Sequence, residues 1–216
     1  MVDVSSKFSQ VHDLSSTRDG SQIPTENTMT TLTTAPALAE LTGSWTIDPA
    51  HSRIGFVARH AMVTKVRGSF NEFEGGAVLD ASNPASSTAR ITIQAKSIDT
   101  RNGQRDQHLR SNDFFAMDEY PTITFGSTGV EQTGEAEFSL TGDLTIKGVT
   151  KAVTIPFSFE GTATDPFGNL RAGFEGSTVI NRKDWGINFN AGLEAGGVLV
   201  SEKITLEFEV SAIKSA

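Results

Sequence analysis

From Trp45 onward, apolar and polar side chains alternate with a period of two, and that alternation leaves few folds open. Ile54, Phe56 and Ala58 alternate with Arg53, Val57 and Arg59, and Ala89, Ile91, Ile93 and Ala95 alternate with Thr88, Arg90, Thr92 and Gln94. The same rhythm carries Ala136, Phe138, Leu140, Leu144 and Ile146, then Val153, Ile155, Phe157 and Phe159, then Leu170, Ala172, Phe174 and Ile180. A last run sets Val198, Val200, Ile204, Leu206, Phe208 and Val210 against Ser201, Lys203, Thr205, Glu207 and Glu209. Successive side chains of a strand point to opposite faces, so each run has one dry face and one wet face. That is the pattern of an antiparallel sheet wrapped around a single core.

Two of the runs, residues 135–147 and 197–212, exceed the usual strand length of about five or six residues. Glycines interrupt several runs, at Gly75, Gly76, Gly142, Gly173 and Gly176. Long twisted strands with internal glycines suit a sheet that curls and closes, so an all-β barrel is expected ahead of a flat sandwich. One segment departs from the pattern. Residues 103–118 read as a short helical connection, with Asp113 placed to cap a second turn through Phe114, Phe115 and Met117, and Pro121 to end it.

Ahead of the barrel, residues 1–42 are polar and rich in Ser and Thr. They read as a flexible tail, because such a segment buries too little apolar surface to offset ordering entropy. Met29 opens a phrase that would serve as a start, and Pro36 to Leu41 reads as one helical turn. The sequence shows no apolar run of about 20 residues for a membrane span. It also shows no apolar core of a secretory signal, so a cytoplasmic protein is expected.

Composition narrows the function. A net charge of −8 disfavours a phosphate backbone as partner. With no cysteine, thiol catalysis and thiolate metal sites are excluded. No nucleophile elbow, phosphate loop, His-Glu-x-x-His or dinucleotide fingerprint is present. His51, His60 and His108 come from distant segments without metal-ligand spacing, and His51, following Asp48-Pro49, reads as a residue that fixes a turn. No catalytic residue, cofactor or metal is therefore expected.

Polar residues on apolar faces are more informative. His60 continues the face of Ile54, Phe56 and Ala58; Arg182 continues that of Thr178 and Ile180; Glu202 interrupts that of Val200 and Ile204. Unpaired buried charge is costly, so these groups should pair, as in an Arg182–Glu202 ion pair, or face a ligand head group.

Several blocks together resemble the YceI-like, polyisoprenoid-binding family. They include Trp45-Thr46-Ile47-Asp48-Pro49-Ala50-His51-Ser52, Gly68-Ser69-Phe70-Asn71-Glu72-Phe73-Glu74-Gly75 and Arg105-Asp106-Gln107-His108-Leu109-Arg110-Ser111-Asn112-Asp113-Phe114-Phe115. Tyr120-Pro121-Thr122-Ile123-Thr124-Phe125, Gly142-Asp143-Leu144-Thr145-Ile146-Lys147-Gly148 and Asn181-Arg182-Lys183-Asp184-Trp185-Gly186 continue the match in the same order. The resemblance implies an eight-stranded antiparallel lipocalin-like β-barrel over residues 43–216 whose cavity takes a long isoprenoid or similar amphipathic chain. It implies storage or transport of a polyprenyl or quinone-like lipid rather than catalysis, and, since some relatives pair through barrel surfaces, a homodimer.

On that expectation Phe56, Phe125, Phe138, Phe157, Phe174, Leu206 and Phe208 form the cavity wall. His60, Arg182 and Glu202 form a polar end, and Arg105 with His108 guards the rim. The competing readings are an enzyme acting on a lipid through His60 or His108, and a stress-linked interaction protein whose barrel is filled by its own side chains.

Overall fold

The alternating runs resolve into strands β1 (Gly43–Ile47), β2 (Arg53–His60), β3 (Thr64–Phe70), β4 (Phe73–Leu79), β5 (Thr88–Gln94) and β6 (Ile98–Asp99). After helix α1 (Gly103–Arg110) come β7 (Thr122–Gln132), β8 (Glu137–Ile146), β9 (Val149–Thr164), β10 (Leu170–Asn181) and β11 (Lys203–Lys214). This computed structural model describes residues 38–194 and 196–215. The readings made for residues 1–37, the Met29 start among them, fall outside that range.

All neighbours are antiparallel, in the order β1-β4-β5-β7-β8-β9-β10-β11, and β11 returns to β1 through Trp45↔Lys214 and Ile47↔Ala212. The sheet therefore closes as an eight-stranded barrel. The remaining strands β2, β3 and β6 continue strands of the barrel past a kink. β1 and β2 both pair with β11 and are separated by a 3-10 turn at Pro49–His51. The kink has a local cause: Pro49 cannot donate to a ladder, and the Asp48 carboxylate accepts from Ala50 N at 3.0 Å. In the same way β3 runs into β4, and β5 reaches β6 across a 3-10 turn at Ala95–Ser97.

Two expectations need correction. The helical connection stops at Arg110, and residues 111–120 are turns. Ala116 has φ 47, a left-handed conformation that no α-helix continues through, and its N–H goes to Ser111 O at 2.8 Å. The Asp113 carboxylate, expected as a cap, is taken by His108 Nε2 at 2.8 Å. The last strand also begins later than residue 197. Gly196 and Gly197 have φ 84 and 94, so the chain there turns, and Val198 and Val200 make only isolated bridges to Gly192 and His60.

Connectivity divides the barrel into two ends. The β2–β3 hairpin, α1 and the 182–202 connection lie at one end. The β4–β5, β7–β8 and β9–β10 links lie at the other, with a 3-10 turn at Leu38–Leu41 whose Leu41 is buried and accepts from Trp45 Nε1 at 2.7 Å. Among the described residues no helix is long and apolar enough to cross a membrane.

Candidate functional site

The inward faces enclose a cavity of about 320 Å³, at the lower end of the range for small-molecule sites. Its wall is built by period two. Phe56 comes from β2, Phe125 from β7, Phe138 from β8, and Phe157 from β9. Phe174 on β10 and Leu206 and Phe208 on β11 complete the ring. All of the expected wall residues therefore line the cavity.

Glycine explains why these rings leave a cavity between them. Phe56 pairs across the ladder with Gly68, and Phe157 with Gly176. A β-carbon at Gly68 would lie 2.4 Å from Phe56 Cζ, and one at Gly176 would lie 2.6 Å from Phe157 Cδ1. Phe125 covers Gly142 in the same manner, at 2.4 Å from its Cζ. Each ring lies down on the backbone of a neighbouring strand because that strand has no side chain there. The signal was present in the glycine positions, but pairing register is needed to read it.

At the α1 end the wall is closed by Leu109, Phe114, Phe115, Trp185 and Ile187. A local motif sets this closure. Asn181 Oδ1 accepts from Lys183 N at 3.1 Å and starts a 3-10 turn at Arg182–Trp185, which Gly186 ends at φ 70. Residues i and i+3 of a 3-10 turn eclipse one another, so Arg182 and Trp185 share the buried side while Lys183 and Asp184 face water. Trp185 is 3% exposed, and its indole donates to Leu144 O at 3.1 Å.

Arg182 is 4% exposed and lines the cavity. Its Nε donates to Ser201 O at 3.0 Å and its Nη1 to Ile187 O at 2.7 Å. Nη2 has no hydrogen-bond partner among the described residues. Burial draws the guanidinium down from its usual pKa, and the charge of Glu202 acts in the opposite direction. The expected Arg182–Glu202 ion pair does not form. Glu202 accepts instead from Lys183 Nζ at 2.5 Å, because Lys183 stands on the same wet side of the turn.

The other expected polar residues do not line the cavity. His60 is exposed at the end of β2, where its face runs out of the barrel. Arg105 turns back to Thr100, with Nε on Oγ1 and Nη2 on the carbonyl, both at 2.7 Å. His108 is exposed and stacks edge-on against Phe114 and Phe189, with ring centroids 5.1 and 4.7 Å apart. Glu202 lies on the outer side with Lys183. His51 pairs with Asp48, Nδ1 to Oδ2 at 2.7 Å, and fixes the kink between β1 and β2.

A closed eight-stranded barrel with an apolar interior and, among the described residues, one buried guanidinium is an architecture suited to holding an apolar ligand. The model of the YceI-like domain matches residues 45–212, and the chain belongs to that family. A UPF0312 protein of Staphylococcus aureus is 41% identical over 170 residues, covering 78% of this chain and 95% of that protein. One from Azotobacter vinelandii is 40% identical over 142 residues, covering 66% and 74%. Among solved structures, BcnA of Burkholderia cenocepacia superposes with TM-score 0.67 at 25% identity, covering 76% of this chain and 98% of BcnA. A polyisoprenoid binding domain from Saccharophagus degradans has TM-score 0.58 at 14% identity, covering 79% and 98%, and shows the common fold.

Proposed function

We propose that the barrel binds one long-chain amphipathic lipid of the isoprenoid type, polyprenyl or quinone-like, with its chain along the phenylalanine wall and its head at Arg182. The observation that carries this reading is the pairing of an apolar cavity with one buried donor, Arg182 Nη2, that is unpartnered among the described residues. Burying such a nitrogen without a partner is costly, and a head-group oxygen would remove that cost. Each methylene withdrawn from water contributes about 0.8 kcal/mol, so the hydrocarbon supplies most of the affinity and the head supplies orientation. The Saccharophagus degradans domain, described as polyisoprenoid binding, supports the ligand class at the level of fold.

In this reading Phe56, Phe125, Phe138, Phe157, Phe174, Leu206 and Phe208 hold the chain. His60, Arg105, His108 and Glu202 do not touch it. The protein stores or carries its lipid in the cytoplasm as a homodimer; fractionation of the native host tests the first point and sedimentation the second. The ligand itself is tested by native mass spectrometry of protein from its own host, followed by organic extraction. A stoichiometric mass excess that resolves into a prenyl compound is expected. A clean apo mass, with no uptake when prenyl lipids are offered, overturns the reading in favour of a barrel that binds no lipid.

A further inference from the structure

The hairpin between β2 and β3 projects at the Arg182 end, and its composition is unusual for a protein surface. At its tip Val63 N donates to His60 O at 3.0 Å, and the two residues between them, Ala61 and Met62, have φ of 49 and 62. Hairpin turns with consecutive left-handed residues favour Asn and Gly, which adopt that conformation without a steric penalty. Here the positions hold Ala and Met, and the tip exposes Met62 at 52% and Val63 at 77%. A turn that is poor in local energy and presents apolar side chains to water is not explained by the stability of its own fold.

Cations line one face of the hairpin behind the tip. The register Arg59↔Lys65 and Val57↔Arg67 places Arg59, Lys65 and Arg67 together on the outer face of the hairpin, and all three are exposed. None of them is in an ion pair among the described residues; the acids on the adjoining stretch of β11, Glu207 and Glu209, are held by Arg53. Like charges directly opposite one another, as in Arg59 and Lys65, destabilise a ladder. In a chain of net charge −8 this is a concentrated positive patch behind an apolar tip.

The hairpin is tied to the cavity. Ala61 N donates to Leu199 O at 2.8 Å, His60 bridges to Val200, and Val200 lines the cavity wall.

We propose that this hairpin docks on the surface of an anionic bilayer. Met62 and Val63 enter the interface, while Arg59, Lys65 and Arg67 meet lipid phosphates, in the manner of interfacial anchors that combine an apolar insertion with basic residues. The Arg182 end of the barrel then faces the membrane that gives or receives the lipid. That purpose rests on the lipid-binding reading, but the docking itself does not.

The test is flotation of the full chain with vesicles of phosphatidylcholine alone and of an equimolar mixture with phosphatidylglycerol. Binding to the mixed vesicles is expected, with weak binding to phosphatidylcholine and release as salt is raised. The triple variant Arg59→Gln, Lys65→Gln, Arg67→Gln is expected to bind about a hundredfold more weakly, at roughly a factor of five per cation. The double variant Met62→Asp, Val63→Asp, which changes only exposed positions, is expected to lose binding as well. Equal binding to both vesicles, binding to neither, or variants that float like the parent overturns the proposal. Uptake of prenyl lipid from detergent, measured on the same proteins, separates the two ideas. Unchanged uptake in variants that no longer float supports docking as a distinct function, and flotation without any uptake would leave docking standing while the container reading fails.

Discussion

Arg182 donates through Nη1 to the carbonyl of Ile187 at 2.7 Å, and with the Nε bond to Ser201 O this fixes a guanidinium at the end of an apolar cavity. Two of its three nitrogens are committed to backbone, and the third has no partner among the described residues. The guanidinium is positioned by these backbone carbonyls and not by an ion pair with Glu202, whose carboxylate is taken by Lys183.

Replacing Arg182 should therefore affect ligand and fold differently. Arg182→Met leaves the carbonyls of Ser201 and Ile187 without donors and should cost about 1–3 kcal/mol of stability. Retention of head-bearing lipid should drop by about tenfold or more, the effect of losing a charge-assisted hydrogen bond. Arg182→Lys keeps the charge but not the planar fork and should fall between the two. Urea unfolding and lipid content of the purified proteins measure both effects. A folded Met variant with full lipid content would remove Arg182 as the anchor.

Trp45 and Trp185 stand at opposite ends of the cavity wall, 2% and 3% exposed. They are built-in reporters of ligand orientation. A quinone-headed lipid should quench Trp185 in a Trp45→Phe variant more strongly than Trp45 in a Trp185→Phe variant. A lipid brominated at its tail should reverse the order. Equal quenching at both ends would contradict a single orientation with the head at Arg182.

The glycines beneath the aromatic rings should respond to alanine in two ways. At Gly142 a β-carbon meets Phe125 Cζ at 2.4 Å and the backbone oxygen of Gly126 at 2.5 Å. Backbone cannot yield cheaply, so Gly142→Ala should destabilise by about 1–3 kcal/mol. At Gly68 the neighbours are side chains, the Phe56 ring and Thr100 Cγ2. Gly68→Ala should tilt Phe56 into the cavity, reducing lipid uptake more than stability. Unfolding curves and loading stoichiometry for the two variants decide the matter, and a stable Gly142→Ala protein with normal uptake would refute this account of the wall.

Acid should loosen the barrel where β1 leaves for β2. Arg171 Nη1 donates to Asp48 Oδ2 at 2.7 Å, and Arg171 Nε donates to Asp165 Oδ2 at 2.8 Å. The Arg171 bond, and after it the one to His51, holds the Asp48 carboxyl at about 2, below its ordinary 3.8. A carboxyl lowered in the folded state binds fewer protons than in the unfolded chain. Its stabilisation is therefore complete above the unfolded value and is lost as pH falls from about 4 towards 2. Asp165 is lowered too, first by Asn169, and adds to the same trend. Asp48→Asn should melt below the parent at pH 7, and the two should converge as pH approaches 2. A gap in melting temperature that stays constant over that range would show that Asp48 contributes no titrating interaction.

Much of this protein is legible in its sequence, because alternation is a local property. Whether Phe138 or Phe157 points inward depends only on parity along its own strand, and every aromatic expected in the wall is there. Parity also correctly placed Arg182 on the inner side. It failed at His60 and Glu202, where the strands run out and the 182–202 connection replaces extended chain with a 3-10 turn and bends.

The partners of the polar groups were decided by tertiary structure alone. Lys183 and Arg182 are adjacent in sequence, yet the turn sends one to water and Glu202 and the other to Ser201 O and Ile187 O. The kinks that divide β1 from β2, and the glycines that accept the rings of Phe56 and Phe157, matter only once strands distant in sequence lie side by side. The sequence by itself determined which faces are dry and pointed to a sheet that curls around them. Only the folded chain could decide which charge remains unpaired inside, because that depends on distances between residues that the one-dimensional pattern does not contain.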